Sequence, residues 1–593
     1  MSARRRAGER LSGTTLLPLP GAPASLDDST SRTLPLGSPR PAPRPPRRAV
    51  HPRRTVHRPV RPLPRPVPTP APAPAPAAGA VPAGGGWLVP LLVVMIGSFM
   101  ALLDTSIVNV ATSRIQADFG ASTDQVQWIA TGYSLALGIV VPTSGWLGDR
   151  FGLRPLYIGS LLAFVGGSAL CGIAWNLNTL IVFRVVQAIG GGLLPVLAQS
   201  IIYRLVPRDR IGSAMGLYGL GIVVAPAIGP ALGGWLVEYV NWRLIFYINV
   251  PIGILGALAA LSILPHFAKR PGQRFDLLGF LFVGSGLFAL LLAFSEGSSW
   301  GWTSYRVLML IAGGLLSLAI FVVVELSVEQ PLLDLRIFGS FGFSVSSVLI
   351  GLISTGLFAG AFYVPLFLQQ GEGYGPFQAG LTLLLPAAVM SVMMPISGRL
   401  YDRIGARWPG AIGLLLVALG TYLLRDITPE TSRSALILVT IVRNIGIGLA
   451  MMPIMTGAMA VVRADRVGAA SAINNLVQRV ASALGLAVLT SVLIAHQAQQ
   501  VAARSGLLPS ASPGFPDLSH LATQGQAAVL ALLSSVQNQA FGGALGDVFL
   551  LTAGLTAIGV LLALLLPGAP AHAAKAAKAA GADEGTTMHE MAA

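Results

Sequence analysis

The sequence predicts an all-α membrane protein with about 14 spanning helices, in two six-helix halves joined by two extra helices. Three observations support this fold class. Of the 593 residues, 53% are hydrophobic and only 11% are charged, which is more apolar surface than a soluble chain of this length could bury. Apolar runs long enough to cross a bilayer recur along the chain. Finally, two motifs of the first half return in the second, which indicates an internal repeat.

Residues 1–86 are predicted to form a disordered, basic cytoplasmic tail. The segment is rich in proline, arginine and alanine, and cannot bury enough apolar surface to fold. Its arginines could bind anionic lipid headgroups at about 1 kcal/mol each near the surface, or the tail could be an inert extension. Much of the net charge of +15 belongs to this tail, so the charge does not imply a nucleic-acid partner.

The spans follow in three groups. The N-terminal half covers residues 87–265, the two extra spans lie in 266–340, and the C-terminal half covers 341–567. The apolar runs lie near residues 88–111, 126–146, 156–174, 179–202, 212–236, 243–264, 277–295, 306–325, 341–369, 378–398, 409–424, 435–457, 468–495 and 545–566. The longest connection, about 496–544, is predicted as an extracellular loop whose segment 527–536 could form a short helix. Residues 568–593 form a second tail.

Orientation follows from lysine and arginine in the short connections. With the N-terminus inside, the cytoplasmic connections hold about twice as many of these residues as the outer ones. The prediction is therefore a multi-pass protein of the cytoplasmic membrane with both termini cytoplasmic.

A charged, glycine-rich decapeptide at residues 145–154 follows the second apolar run, and a copy at 398–407 follows the tenth. Because it lies at the exit of a span, we predict that the decapeptide is a loop. The positions of interest are Gly145, Gly148, Asp149, Arg150, Gly152 and Arg154, and in the copy Gly398, Asp402 and Arg403. A second repeat, 209–214, returns as 465–470. The alternative is an ordinary basic turn on the cytoplasmic side.

The decapeptide, Gly-x-Leu-x-Asp-Arg-x-Gly-x-Arg between a second and a third span, resembles the cytoplasmic loop signature of the major facilitator superfamily. The resemblance implies two parallel six-helix halves with a substrate site between them at mid-membrane. It also implies that the decapeptide belongs to the cytoplasmic gate. There Asp149 could accept hydrogen bonds from helix N-termini, and Arg150 and Arg154 could bind carboxylates or headgroups.

Asp104 lies inside the first apolar run, where no other charge occurs. An unpaired carboxylate there costs several kcal/mol, so it should hold a proton until a partner or water reaches it. This behaviour suits a proton carrier, and the alternative is an acid near the outer helix end that simply reaches water. The stretch 103–111 resembles an element of 14-span drug:proton antiporters, although Thr112 and Ser113 replace the usual Leu-Pro.

Arg184 lies inside the fourth run and cannot lose its charge, so it needs partners such as Gln187, backbone carbonyls or Asp104. The segment resembles the Arg-x-x-Gln-x-x-Gly motif, whose arginine the resemblance links to proton coupling. A purely structural role is the alternative. Arg443 and Arg479 are further cations inside later runs, for which functional and structural roles are equally open.

The fifth run combines small residues, which allow close helix packing, with prolines that bend a helix. Ordinary packing could explain the small residues alone. The pattern, however, resembles the antiporter motif of exporters, and its members are Gly221, Pro226, Gly229, Pro230, Gly233 and Gly234. The stretch 241–253 resembles an element of the 14-span branch, with Trp-Arg followed by Ile-Asn-x-Pro-x-Gly.

The predicted function is proton-coupled export of lipophilic, often cationic compounds by alternating access. The sequence holds no nucleotide-binding loop, metal-ligand cluster or nucleophile triad, so neither an ATP-driven pump, an enzyme nor a cofactor is expected. Expected partners are protons, the substrate and membrane lipids, with the protein a monomer. Candidates for the substrate cavity are Asn109, Trp128, Tyr133, Gln187 and Phe362. The alternatives are an exporter of lipids, glycolipids or secondary metabolites, and a non-transporting scaffold or sensor.

Overall fold

A computed structural model describes residues 86–568, apart from 270–271, 273, 429–430, 464–465 and 506–525, with 526–536 described as backbone. Apart from residues 86 and 568, both predicted tails lie outside the described part. All regular secondary structure in the described part is helical, and 14 of the helices are long and apolar enough to cross a membrane. The predicted fold class is therefore confirmed.

The spanning helices are numbered here in chain order. They are α1 Leu88–Phe119, α2 Thr123–Phe151, α3 Leu153–Gly172, α4 Leu177–Leu205, α5 Ile211–Tyr239, α6 Leu244–Ile263, α7 Leu277–Trp300, α8 Tyr305–Ser327, α9 Phe341–Gln370, α10 Phe377–Ile404, α11 Arg407–Asp426, α12 Arg433–Ala460, α13 Val467–Ala503 and α14 Gln537–Ala563. The first six form the N-terminal half, α7 and α8 are the linker helices, and α9–α14 form the C-terminal half.

The prediction that the decapeptide is a loop is wrong. Residues Ser144–Phe151 form the helical end of α2, and Gly398 to Ile404 are the last turns of α10. Each helix ends one residue later, where Gly152 has φ +91° and Gly405 has φ +78°. Glycine alone takes such a conformation without strain, so the repeated glycine ends the helix. The charged side chains do not interrupt the helix, because the helix is held by backbone hydrogen bonds between residues four positions apart.

The predicted outer loop 496–544 is also largely wrong. The helix containing α13 continues to Ser505, and the helix containing α14 begins at Gln526. Segment 527–536 therefore belongs to one long helix and is not a separate short one. Only 506–525 separates the two helices, and that stretch lies outside the described residues.

Glycines allow helices of the N-terminal half to pack closely. A Cβ added to Gly167 of α3 would lie 2.5 Å from the Gln187 Cα of α4, and one added to Gly190 would meet the backbone of Phe164 at 2.5 Å. Backbone contact of this kind fixes the position of α4, which carries Arg184, against α3.

The two halves meet through equivalent helix ends. The start of α5 packs on the end of α10, where a Cβ added to Gly398 would overlap the Gly212 carbonyl. The start of α13 faces the end of α2, with the Gly468 position near Gly145. The end of the bundle that holds Gly152 and Gly405 is called the motif end below. Because each half supplies one partner to each contact, the arrangement follows the sequence repeat.

Polar contacts between the halves also cluster at the motif end in the described part of the chain. The Asp402 carboxylate of α10 accepts hydrogen bonds from the backbone N–H groups of Gly212 and Ser213, at 2.7 and 2.8 Å. The Asn475 amide of α13 donates to Gln199 of α4 at 3.2 Å. These contacts hold the halves together at this end.

Helix α7 of the linker packs against helices from both halves. It contacts α8, α2 and α13. Thr131 of α2 and Ser295 of α7 share a hydrogen bond of 3.3 Å. In the segment after α8, Asp334 pairs with Arg466 just before α13, at 2.8 Å. The linker helices are therefore attached to the bundle rather than separate from it.

Adjacent glycines of α3 provide a test of this packing. We expect Gly167→Ala to destabilise the protein by about 1–3 kcal/mol, because its methyl group would overlap the α4 backbone. Gly166→Ala is the matched control, since a Cβ there meets nothing within 4 Å. The measurement is the melting temperature of the purified protein in detergent. Equal melting temperatures for the two variants would contradict the packing described here.

Candidate functional site

Asp104 lies near the middle of α1, and its side chain is fully buried. The Arg184 Nη1 of α4 lies 2.5 Å from its Oδ2, and the arginine side chain is 1% exposed. The alternative that Asp104 reaches water at the outer helix end is therefore wrong. The structure also differs from the expectation of an unpaired carboxylate, because an arginine partner is in place.

Two amide side chains complete the surroundings of the carboxylate. Gln187 Nε2 and Asn249 Nδ2 both donate to Asp104 Oδ1, at 3.0 and 3.1 Å. With Arg184, three donors from α4 and α6 therefore converge on one acid of α1. Such donors stabilise an ionised carboxylate in an apolar surrounding.

The Arg184 guanidinium is held by an aromatic ring as well as by the acid. Its Cζ lies 3.8 Å from the centre of the Tyr133 ring, and its Nη1 donates to Gln187 Oε1 at 2.7 Å. A cation over a ring face is stabilised by the ring quadrupole, by about 2 kcal/mol when both are desolvated. Arg184 Nε and the Tyr133 hydroxyl are buried without a hydrogen-bond partner in the part of the chain described. The site thus has unused hydrogen-bonding capacity.

Asn249 is a member of the site that the sequence analysis did not select. It donates to Asp104 and approaches Ser168 Oγ at 3.1 Å, and Ser168 donates to the Phe246 carbonyl at 2.8 Å. A signal was present, because Asn249 is an amide inside an apolar run and belongs to the Ile-Asn-x-Pro element. Its partner could not be deduced, since that depends on how α6 is rotated against α1.

The two copies of the decapeptide make different contacts. Asp402 binds the N-terminus of α5, whereas Asp149 pairs with Arg204 at 3.4 Å. The bonds to a helix N-terminus that were expected of Asp149 are thus made by its repeat equivalent. Arg154 contacts the His266 ring and the Leu261 carbonyl instead of a carboxylate. Arg150 and Arg403 are exposed.

The predicted antiporter motif of α5 faces α1 beside the ion pair. Ser106 Oγ donates to the Pro226 carbonyl at 3.1 Å. A Cβ added to Gly229 would lie 2.6 Å from the Ser106 Cβ, and one added to Gly233 would lie 3.2 Å from Ile107. The motif therefore contacts the helical turn that carries Asp104. Gly221 faces Met95, Gly234 faces open space, and Pro230 lies near Gly380 of α10.

The five predicted cavity residues fall into two groups. Gln187 and Tyr133 are buried in contact with the ion pair. Asn109 is exposed, Trp128 is half-buried and Phe362 is 46% exposed. No hydrogen bond or ring contact joins these three to Asp104 or Arg184 among the described residues. The structure therefore does not bring all five to one site.

A family model and several known proteins match this chain, and these matches agree with one another. Residues 94–486 match the family model described as Major Facilitator Superfamily. The chain is 34% identical over 409 residues to a multidrug resistance protein B homolog of Mycobacterium tuberculosis, a match covering 68% of this chain and 76% of that protein. It is 32% identical over 416 residues to the tetracenomycin C resistance and export protein of Streptomyces glaucescens, covering 69% and 76%.

Solved structures share the fold. The proton:xylose symporter XylE has a TM-score of 0.54 at 13% identity, with 81% of this chain and 96% of that chain covered. The human organic anion transporter MFSD10 has a TM-score of 0.52 at 14% identity, with 80% and 98% covered. At such identities the likeness concerns the fold alone.

The ion pair can be tested by a double-mutant cycle. We expect Asp104→Asn and Arg184→Gln to destabilise the protein by about 3–5 kcal/mol each, because each leaves its partner buried without an opposite charge. The double variant should lose less than the sum, as measured by thermal unfolding in detergent.

The control for this cycle is the partly exposed pair Asp118 and Arg243, at 3.4 Å, whose first member also lies on α1. Its coupling should be about 0–1 kcal/mol. Additive losses at Asp104 and Arg184 would show that the two side chains do not interact as described.

A second test uses two glycines of α5. Gly229→Ala should force α5 away from Ser106, disturb the Pro226 hydrogen bond and reduce transport. Gly234→Ala meets nothing within 4 Å and should leave transport unchanged. Transport is measured as the movement of a substrate out of cells that express equal amounts of each variant. Equal loss in both would indicate that helix propensity, rather than contact with α1, is responsible.

Proposed function

The chain belongs to the major facilitator superfamily and is a multi-pass membrane transporter, and we propose that it works as a proton-coupled antiporter. In this proposal it exports lipophilic small molecules across the cytoplasmic membrane by alternating access. The names of its relatives support export, because they include multidrug resistance and export proteins. The coupling ion and the substrate class rest on the chemistry of the site.

The observation that carries the proposal is the buried Asp104 carboxylate with its three donors. A proton added to Asp104 would cancel its charge and weaken its bond to Arg184. The hydrogen bonds that connect α1 to α4 and α6 would then weaken together. Because α5 contacts α1 at Ser106, such a change would reach the helix that packs on α10 of the other half.

The orientation of the protein in the membrane is taken from the positive-inside rule. This rule assigns the motif end to the cytoplasm, and both termini with it. The contacts between Gly212, Gly398 and Asp402 then close the cytoplasmic side, which corresponds to an outward-facing or occluded state. In this scheme protons enter from outside, and Asp104 releases its proton inward after the halves rock. No cofactor or obligatory protein partner is part of the proposal, and the protein is a monomer.

Export of a secondary metabolite is the second candidate. It is favoured by the relative named as a tetracenomycin C resistance and export protein. The same proton-coupled cycle would serve either substrate class. A panel of drugs and secondary metabolites, tested for growth inhibition in a pump-deficient host with and without the gene, separates the two.

The test of proton coupling is substrate-induced proton release from purified protein in detergent. The wild type should release protons when a transported substrate is added, and Asp104→Asn should release none because it cannot ionise. Asp118→Asn is the matched control on the same helix, since Asp118 is partly exposed and pairs with Arg243 rather than with Arg184. Equal release from wild type and Asp104→Asn would contradict the assignment.

A further inference from the structure

The membrane interior of the bundle carries more positive than negative charge. Away from the helix ends, the described helices hold the cations Arg184, Arg443 and Arg479 and the acids Asp104 and Asp547, and Asp547 pairs with His496. Asp104 neutralises Arg184. Two arginines therefore remain without an acid partner in the described part of the interior. Arginine does not lose its proton in such a place, so each must be satisfied in another way.

The site offers little to a cationic substrate. Asp104 is fully buried, and its two oxygens already accept from Arg184, Gln187 and Asn249. A cationic substrate would have to displace Arg184 and leave that guanidinium without a counter-charge, which costs several kcal/mol. The geometry thus differs from the expectation of often cationic substrates.

Arg443 is held by contacts within its own half. It is 3% exposed, and it donates to the Gly356 carbonyl and, at 3.4 Å, to Asn444, while its Nε has no partner among the described residues. Its guanidinium occupies the space beside Gly360, where an added Cβ would lie in contact with it. No room is left there for a ligand.

Arg479 lies on the face of α13 that meets the N-terminal half. Helical spacing places Gly468, Asn475 and Arg479 along one face. Gly468 faces Gly145 of α2, and Asn475 donates to Gln199 of α4. The opposite face packs within its own half, where the Ala481 carbonyl accepts from Thr355 of α9. Arg479 therefore points toward the other half, one turn beyond the last polar contact.

Three further observations describe the surroundings of Arg479. Tyr133 of α2, whose ring stacks on Arg184, lies within electrostatic range of Arg479. The Arg479 side chain lies deep in the bundle but is only partly buried, so neighbouring residues do not cover all of its surface. No ion pair or side-chain hydrogen bond engages its guanidinium among the residues that the structure describes. An accessible, permanent cation thus borders the space between the halves, next to the proposed coupling site.

We propose that Arg479 binds the acidic group of the substrate, and that the transported compounds are lipophilic weak acids bearing a carboxylate or phenolate. A charge-assisted pair with Arg479 would give the acid a counter-charge in an apolar surrounding, and the rest of the molecule would contact the apolar helix faces. This inference rests on the proposed export function. Proton and substrate then occupy separate sites, at Asp104 and Arg479, which share Tyr133 as a neighbour and are coupled through the position of α2.

The test compares three ligands that differ only in charge: 9-anthracenecarboxylate, its methyl ester and 9-(aminomethyl)anthracene. Binding to the purified protein is measured by fluorescence anisotropy. The wild type should bind the carboxylate at least about tenfold more tightly than the ester or the amine, the value expected for one hydrogen-bonded charge pair. Arg479→Gln should remove that preference, and Arg479→Lys should restore part of it because the point charge is kept.

The control variant is Arg433→Gln, which removes an exposed arginine at the start of α12 and should leave the preference unchanged. Size-exclusion profiles establish that each variant is folded. The inference is overturned if the wild type fails to bind the carboxylate, if it prefers the amine, or if Arg479→Gln keeps the carboxylate preference.

These outcomes are separate from a failure of antiport. Proton-driven export of the amine, with no carboxylate preference, would remove the acid site and leave the antiport proposal standing. Carboxylate binding that depends on Arg479 but releases no proton would support the acid site and contradict the antiport proposal.

Discussion

The ion pair between Asp104 and Arg184 is the interaction on which the rest of the N-terminal half depends. Two full charges inside an apolar bundle are tolerated only when every helix that surrounds them supplies a partner. Here α1 supplies the acid, α4 supplies Arg184 and Gln187, α6 supplies Asn249, and α2 supplies the Tyr133 ring. The glycines of α3 and α5 serve the same requirement, because they bring α4 and α1 close enough for these contacts.

Much of this could be predicted from the sequence because the solvent imposes it. A bilayer requires apolar runs of one length, so the helix number followed from composition, and the repeat followed from the motif copies. Asp104 and Arg184 were recognisable because charge is costly there. The contact with Asn249 was not, since it depends on helix rotation and crossing. The prediction of a loop for the decapeptide was wrong for another reason. Charged residues mark the membrane boundary, whereas Gly152 marks the end of the helix, and the two need not coincide.

The two halves show how one motif can serve different contacts. Asp149 pairs with Arg204, whereas Asp402 binds the start of α5. Counted back from Asp209 and from its repeat equivalent at 465, the position that holds Arg204 in the first half holds Ala460 in the second. Asp402 has no arginine at that equivalent position, and its carboxylate accepts from helix N–H groups instead. A residue outside the motif therefore differs between the halves together with the contact that the motif makes.

The position of linker helix α7 limits how the two halves can move against each other. It touches α2 of one half and α13 of the other. In the proposed alternating-access cycle the halves rotate against each other, so α7 cannot stay fixed to both and at least one of its two contacts must slide. Among the described residues, the contact with α2 includes one side-chain hydrogen bond, between Thr131 and Ser295, beside apolar contacts such as Leu291 near Gly138. In the proposed cycle, helix α7 would therefore slide along one of the two halves while it stays in contact with the other.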